Sequence, residues 1–519
     1  MARLTDYTSY ADAQAHFTRE GLWDMFDGDR AHFNITHECI DRFASRQEPA
    51  LRIAHADGRD EFISFAELSR LSAQVAHYLK GEGVKKGDRV AVMIEPSRPF
   101  YAMLFGIVKA GAVAVPLFTL FGPEGIKLRV DDCRPTLVFT SADKIGEARL
   151  AGVAEPVLCD EGFITSLASL PERFDWLTAG DDLALLQYTS GTTRLLPEAV
   201  RHTHRSLVTL MVAALYATGI RPGDRFFCPS SPAWGHGMWH GTLAPLAMGV
   251  SSGTFSGKFD PERLLKALSD YRITNLSAAA THYRMMRICG QAGRFAFALE
   301  KLSFTGEPID SETAEFVKAT FSTPACSMYG TTEVGVILAN YPGAADLEVR
   351  KGSLGKPVPG IGVGVLRQDG TQASPDEIGE LMVMRRDGWF PTKDLARIDA
   401  DGFFYHHGRA DDVIISAGWT MSAVEIENAI LRHPNVAEAA AIGAPDSTRG
   451  QVVKAFVVLK DSSRAGQEEE IQDIVRQNLA RHEYPRIIEF VDALPKTPAG
   501  KINRKELRDQ QNTGVPAPN

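Results

Sequence analysis

The sequence predicts an α/β protein: a large N-terminal domain of doubly wound sheets with a β-rich subdomain, followed by a small α+β C-terminal domain. Three observations lead there. Short apolar runs alternate with amphipathic helical stripes from residue 62 to about residue 340, which is the pattern of parallel strands covered on both faces. Glycine and proline density then rises around strand-like runs such as Gly379 to Val383. From Asp411 the texture changes again, into a unit of roughly a hundred residues, a common domain size. The expected division is 1–410 and 411–519.

The elements follow in order. Ser64 and Glu67 form a capping box opening a helix whose apolar face is Phe65, Leu68, Leu71, Val75 and Leu79, and Gly81 closes it. A buried strand at Val90 to Ile94, a helix through Phe105 and a strand at Leu137 to Phe139 continue the alternation. In the last domain Ser422 and Glu425 make a second capping box. A strand follows at Val436 to Ile442, and Ile471, Ile474, Val475 and Leu479 give a helical stripe. No repeat of fixed period is present, and only the terminal QQNTGVPAPN reads as disordered.

Composition narrows the function classes. With 519 residues, 44% hydrophobic and 23% charged, the chain suits an ordinary globular protein of two or three cores. A net charge of -9 opposes a nucleic-acid-coating surface, which would need clustered lysine and arginine. The six cysteines are scattered singly, without metal-ligand spacing, and read as reduced and structural. The N-terminus lacks the charged and apolar regions of a secretory signal. The most apolar stretch, Tyr101 to Phe121, is broken by Lys109, two glycines and Pro116, so no membrane span is expected and the cytoplasm is the expected location. Self-association into a homo-oligomer stays open.

Four segments carry the chemistry. Tyr188-Thr189-Ser190-Gly191-Thr192-Thr193 follows a buried strand and can turn N–H and O–H groups toward phosphate oxygens, although a polar turn has the same composition. It does not fit the Walker pattern. Tyr329-Gly330-Thr331-Thr332-Glu333, preceded by Thr305-Gly306-Glu307-Pro308, sets a carboxylate beside hydroxyls. That donor set suits Mg²⁺ on triphosphate oxygens or simply a solvated loop. Thr392-Lys393-Asp394 and Gly408-Arg409-Ala410-Asp411, then Ser416-Ala417-Gly418, offer an aspartate and an arginine for ribose hydroxyls, or an ordinary hairpin with a salt bridge. Pro495 to Arg504 is a proline- and glycine-set turn presenting Lys501, which is either solvated or able to reach a site formed elsewhere.

In this order and spacing the four resemble the adenylate-forming superfamily of acyl-CoA synthetases, nonribosomal-peptide adenylation domains and firefly luciferase, over about residues 30 to 510. Within it the chain is most similar to acetyl-, medium-chain and aryl-CoA ligases, as in Pro232 to Trp239. The resemblance implies an acid–CoA ligase that uses ATP, Mg²⁺ and coenzyme A on a small carboxylic acid. By that resemblance Thr189, Ser190, Gly191, Thr192 and Thr193 hold the β- and γ-phosphates, and Thr332 and Glu333 serve the α-phosphate and Mg²⁺. Gly306, Glu307, Pro308, Tyr329, Gly330 and Thr331 surround the nucleotide, and Asp394 and Arg409 take the ribose. Asp411 is the hinge of a mobile C-terminal domain, Gly418 and Trp419 line the coenzyme A tunnel, and Lys501 is the adenylation lysine. The acyl pocket is implied at Trp234, His236, Gly237, Trp239, His240, Thr281, Tyr283 and Thr305.

There is one departure. Where the family loop continues Gly-x-Pro-Lys-Gly, this chain reads Arg194-Leu195-Leu196-Pro197-Glu198-Ala199, one residue longer and without lysine. Arg194 can replace the charge, while Glu198 must point away from triphosphate. That departure keeps a non-catalytic nucleotide- or acyl-binding protein in view, beside an enzyme loading a separate carrier protein. The bulky, partly polar pocket favours a short, branched or 2-hydroxy aliphatic acid such as 2-hydroxyisobutyrate, then a medium-chain or aromatic acid. His236 and His240 are four apart but lack the H-E-x-x-H glutamate, Gly360 to Gly364 lacks the strand–helix context of a dinucleotide loop, and His202 and His204 are expected to cap or pack.

Overall fold

The computed structural model describes residues 3–188, 199–331, 334–409, 413–416, 419–446, 450–461, 466–479, 484–496 and 502–513. The chain divides into two compact units, 1–361 and 362–519.

In the first unit, one sheet runs in spatial order through Ser353–Pro357, Gly335–Ala339, Ala325–Thr331, Lys301–Thr305, Asn275–Ala279, Arg225–Cys228, Ser251–Ser256, Pro49–His55 and Asp60–Ser64. From Ala325–Thr331 to Pro49–His55 every neighbouring pair is parallel. The flanking pairs are antiparallel. A second sheet has the order Val157–Leu158, Leu137–Thr140, Arg89–Met93, Val113–Pro116, Leu183–Tyr188 and Ala199–Thr203. It is parallel except for its last pair. Parallel strands need helical crossovers that cover both faces, so strands such as Leu137–Thr140 and Val113–Pro116 are largely apolar, while the equally buried Ser251–Ser256 is mostly polar.

The helix Phe65–Gly81 forms where the apolar stripe requires it, with the Ser64 hydroxyl accepting from the Glu67 N–H. The reciprocal half of the expected capping box is spent elsewhere: the Glu67 carboxylate pairs with Arg98 at 3.0 Å. Gly81 is the last helical residue, and the left-handed turn falls to Gly83 at φ +80. Lys109 ends the buried helix Arg98–Lys109 and is neutralised by Asp41 at 2.8 Å. No helix among the described residues is long and apolar enough to cross a membrane.

The second unit opens with four antiparallel strands, Val363–Leu366, Gly379–Arg385, Gly388–Ile398 and Phe404–Arg409. A hairpin of Val413–Ser416 and Trp419–Ser422 follows. A three-stranded sheet, Val436–Asp446, Gly450–Leu459 and Ile487–Phe490, then packs with the helices Ala423–Ile430 and Glu468–Asn478 around Ile426, Ile430, Val453, Ile471 and Val475. This is the expected α+β arrangement.

Packing between strands leaves little slack. Gly253 stands opposite Phe227 in the ladder, and a Cβ there would lie 2.1 Å from the Phe227 ring. Gly253→Val is therefore expected to overpack the sheet and lower stability by about 1–3 kcal/mol, read as a reduced urea midpoint at unchanged denaturant slope.

Candidate functional site

The carboxyl ends of the parallel strands Arg225–Cys228, Asn275–Ala279, Lys301–Thr305 and Ala325–Thr331 lead directly into the motifs singled out from the sequence, and in open α/β sheets that edge is where ligands bind. Ala279 and Thr305 are register partners across the ladder. Gly306 follows at φ +97, a conformation that favours glycine, and a Cβ built there would meet only the Trp234 ring, at 3.7 Å. Trp234 and the Gly306 loop are thus neighbours. Thr281 donates to Glu307 at 3.2 Å, and Arg284 holds Glu307 at 3.1 Å and Asp310 at 3.2 Å. Pro308 continues this loop. The structure accordingly gathers Trp234, Thr281, Thr305, Gly306 and Glu307.

His236 to Leu243 form a π-helix, a rare element that is frequent at functional sites. Its sheet side is glycine by necessity: a Cβ on Gly237 would stand 2.1 Å from the Ser231 carbonyl oxygen, and one on Gly241 2.9 Å from Cys228. His236 locks it in place, with Nδ1 2.9 Å from Ser230 Oγ and Nε2 2.9 Å from Ser277 Oγ. Ser303 Oγ donates to Ser277 at 2.8 Å, which extends the link to the next strand. Both ring nitrogens of His236 are therefore engaged in structure. Trp239 donates Nε1–H to Gln187 Oε1 at 3.0 Å, and its ring lies against His202 at 4.5 Å. Tyr283, expected in the acyl pocket, is instead fully buried in the core, its hydroxyl donating to the Ser303 carbonyl at 2.9 Å, so it presents no polar group to a ligand.

Tyr329 and Gly330 end the strand that turns back as Gly335–Ala339, with a bulge between them. A Cβ on Gly330 would lie 2.0 Å from the Gly335 carbonyl oxygen, which explains this glycine. Thr331 pairs with Gly335 at the hairpin end. In the second unit Asp394 and Arg409 are direct register partners on adjacent antiparallel strands. Asp394 is buried and lies 3.4 Å from His406 Nε2. Lys393 beside it adopts φ +63, a left-handed conformation that costs a non-glycine residue about 1–2 kcal/mol.

Other expected residues lie outside the described ones: Thr189, Ser190, Gly191, Thr192, Thr193, Arg194, Glu198, Thr332, Glu333, Asp411, Gly418 and Lys501. Their flanks are described. Tyr188 and Ala199 are paired at the mouth of the 189–198 segment. Ser416 pairs with Trp419 across the two residues that include Gly418. Lys496 bridges to Ile502, and Asn503 N–H donates to the Pro495 carbonyl at 2.8 Å, closing the base of the Lys501 turn.

Comparison with known proteins shows the family. A family described as "AMP-binding enzyme" matches residues 41–390, and its C-terminal domain matches 425–501. The chain belongs to the AMP-binding enzyme family. It is an AMP-forming acid–thiol ligase, an acyl-CoA ligase, of a family that uses ATP and coenzyme A as co-substrates. It is 31% identical to an uncharacterized acyl-CoA ligase, YtcI, of Bacillus subtilis, over 92% of this chain and 96% of that one. It is 32% identical to 4-hydroxybutyrate–CoA ligase 1 of Metallosphaera sedula, over 88% and 86%. The crystal structure of the anthranilate CoA ligase AuaEII with anthranoyl-AMP superposes with a TM-score of 0.83 at 26% identity, covering 95% of this chain and 99% of that one.

Sequence reasoning on this ligase missed Gln187 and the part played by His202. Gln187 carried a signal, as the one polar residue in the apolar strand Leu183–Tyr188. His202 does pack, as expected, but against Trp239 in the pocket wall.

Two predictions follow from the local physics. Burial holds His202, His204, His240 and His282 down to about 4 from an ordinary 6.5. His204 Nδ1 accepts from the Ile35 N–H at 3.1 Å and His282 Nδ1 from the Ala279 N–H at 3.2 Å, bonds that only the neutral ring can make. The unfolded chain therefore binds more protons between these values, and stability is lost as pH falls from about 6.5 toward about 4. Urea midpoints measured across that window should decline, and His204→Gln should flatten the slope. Lys393→Gly should relieve the left-handed strain, and after the extra chain entropy of glycine should gain about 0.5–1 kcal/mol in urea titrations, whereas Lys393→Ala should gain nothing.

Proposed function

We propose that this ligase activates a short, branched or 2-hydroxy aliphatic monocarboxylic acid, such as 2-hydroxyisobutyrate, and acts in the cytoplasm. The observation that carries this reading is the wall formed by Trp234, His236, Trp239 and His240, which is bulky, partly polar and uncharged at neutral pH because burial lowers both imidazoles. Arg284, beside Thr281 and the Gly306 loop, is committed to Glu307 and Asp310 and so offers no free counter-charge to a second carboxylate on the substrate. A relative named for 4-hydroxybutyrate supports a short hydroxylated acid.

The chemistry runs in two steps. A thiol cannot displace oxide from a carboxylate, so the acid oxygen first attacks the α-phosphorus of ATP, forming acyl-AMP and releasing pyrophosphate. The thiol of coenzyme A then adds to the acyl carbon, and AMP leaves to give acyl-CoA. The loop Thr189 to Thr193 would hold the β- and γ-phosphates, and Gly306, Glu307, Pro308, Tyr329, Gly330 and Thr331 would flank adenosine. Asp394 and Arg409, placed opposite one another, would take the ribose hydroxyls. Lys501 would offset the negative charge growing on the phosphoryl oxygens. Thr332 and Glu333 are hard oxygen donors of the kind Mg²⁺ takes, and the ion when bound would neutralise phosphate charge. We place the division between a fixed domain and a mobile one at Asp411, so that Lys501 withdraws after adenylation and Gly418 and Trp419 line the tunnel for coenzyme A.

Pyrophosphate release across short, branched, hydroxylated, medium-chain and aromatic acids, with ATP and Mg²⁺ and with or without coenzyme A, tests the reading. The largest kcat/KM is expected among short branched or hydroxylated acids, with the acyl-CoA as product. Lys501→Ala should slow adenylation by ~10²–10³ and spare acyl transfer from a supplied acyl-adenylate. Best turnover of medium-chain or aromatic acids would overturn the substrate assignment.

A further inference from the structure

Two buried side-chain nitrogens without a hydrogen-bond partner border the π-helix, Gln187 Nε2 and His240 Nδ1. Their orientation has a cause. Indole Nε1–H is only a donor, so the Gln187 amide must turn its oxygen to Trp239, which leaves the NH₂ facing away with nothing to bond. Gln187 is only 5% exposed, and an unmet buried donor is the kind of deficit that folded proteins rarely keep without a use.

Gln187 meets the π-helix at Trp239, and the next residue, His240, has its ring 5.9 Å from that of His236. A π-turn bonds residues five apart, so Gly235 lies beneath His240, with Trp239 alongside. A Cβ on Gly235 would meet only Gln187 Oε1, at 3.7 Å, whereas one on Gly237 would collide with main chain at 2.1 Å. The helix is therefore packed tight at Gly237 and open at Gly235, beside the Gln187 amide. Trp234, whose ring borders Gly306, lies next to that open side in sequence and continues it toward the nucleotide loop.

We infer that Gln187 and His240 form a specificity site for an uncharged hydroxyl on the acyl chain. Gln187 Nε2 donates to the hydroxyl oxygen, and the hydroxyl hydrogen is accepted by His240 Nδ1. A hydroxyl both accepts and donates, so one such group satisfies both orphaned nitrogens at once. A methyl in its place leaves them unmet, which is how a site built around a hydrogen bond rejects the analogue that lacks it. A carboxylate there would need two donors and a counter-charge, and His240 is held neutral by burial. This inference rests on the acyl-CoA ligase reading of the same pocket and specifies its substrate class.

The experiment compares kcat/KM for matched pairs, 2-hydroxyisobutyrate with isobutyrate and 3- and 4-hydroxybutyrate with butyrate, in the full-length enzyme. The wild type should prefer at least one hydroxy acid over its parent by tenfold or more. In Gln187→Met and in His240→Phe the loss with that hydroxy acid should exceed the loss with its parent by about tenfold, which a merely misfolded pocket would not produce. Gly235→Val, which fills the open side, should lower hydroxy-acid turnover while leaving acid-independent ATP binding in place. Preference for the parent acids, or a hydroxyl preference untouched by both polar substitutions, overturns the inference while the ligase reading stands. Absence of pyrophosphate release with every acid removes both.

Discussion

A neutral histidine tied between two serines holds the acyl side of this enzyme together. His236 bonds Ser230 on one side and Ser277 of the strand Asn275–Ala279 on the other, and through Ser303 the link reaches a second strand. Each such bond contributes only about 0.5–1.5 kcal/mol net, but a broken one would leave a buried polar atom unmet at a cost of about 1–3 kcal/mol. The π-helix needs that anchoring, because its backbone geometry is uncommon and unfavourable on its own. Gly237 and Gly241 let it approach the strand behind it, and His236 then fixes its rotation. Trp234, Trp239 and His240 take their directions from that one placement.

The sheet supplies the second constraint. Because the strands before residues 229, 280, 306 and 332 point the same way, their carboxyl ends deliver the tryptophan segment, the Thr281 helix, the Gly306 loop and the Tyr329 hairpin to one edge. Residues separated by about a hundred positions become neighbours without any long loop. The same logic in antiparallel form sets Asp394 opposite Arg409. Here register, not sequence distance, makes the pair.

What was legible in the sequence follows from which signals are local. The α/β alternation was readable because parallel strands such as Leu137–Thr140 are buried on both faces and so read as short, largely apolar runs. The nucleotide motifs were readable because glycines such as Gly306 and Gly330 are demanded by a left-handed turn or by close backbone approach. The π-helix was not, since the segment His236 to Leu243 has no composition that separates it from an α-helix. Gln187 was passed over because its meaning depends on Trp239, fifty-two positions away. Lys393 was equally hidden: a left-handed turn usually declares itself by glycine, and here the surrounding strands impose it on a lysine. Glu67 shows the converse error, a local capping pattern outcompeted by a tertiary partner, Arg98.

If the wall of Trp234, His236, Trp239 and His240 receives the acid as proposed, charge explains how its imidazoles would stand beside a substrate carboxylate without capturing it. Were His236 or His240 protonated, the acid would gain an ion pair within the pocket and its carboxylate would be held there, turned away from the α-phosphate it must attack. Burial lowers both rings and keeps the wall neutral through the physiological range. On the proposed reading, discrimination would then have to come from shape and hydrogen bonding, which act on the rest of the acyl chain and not on its carboxylate.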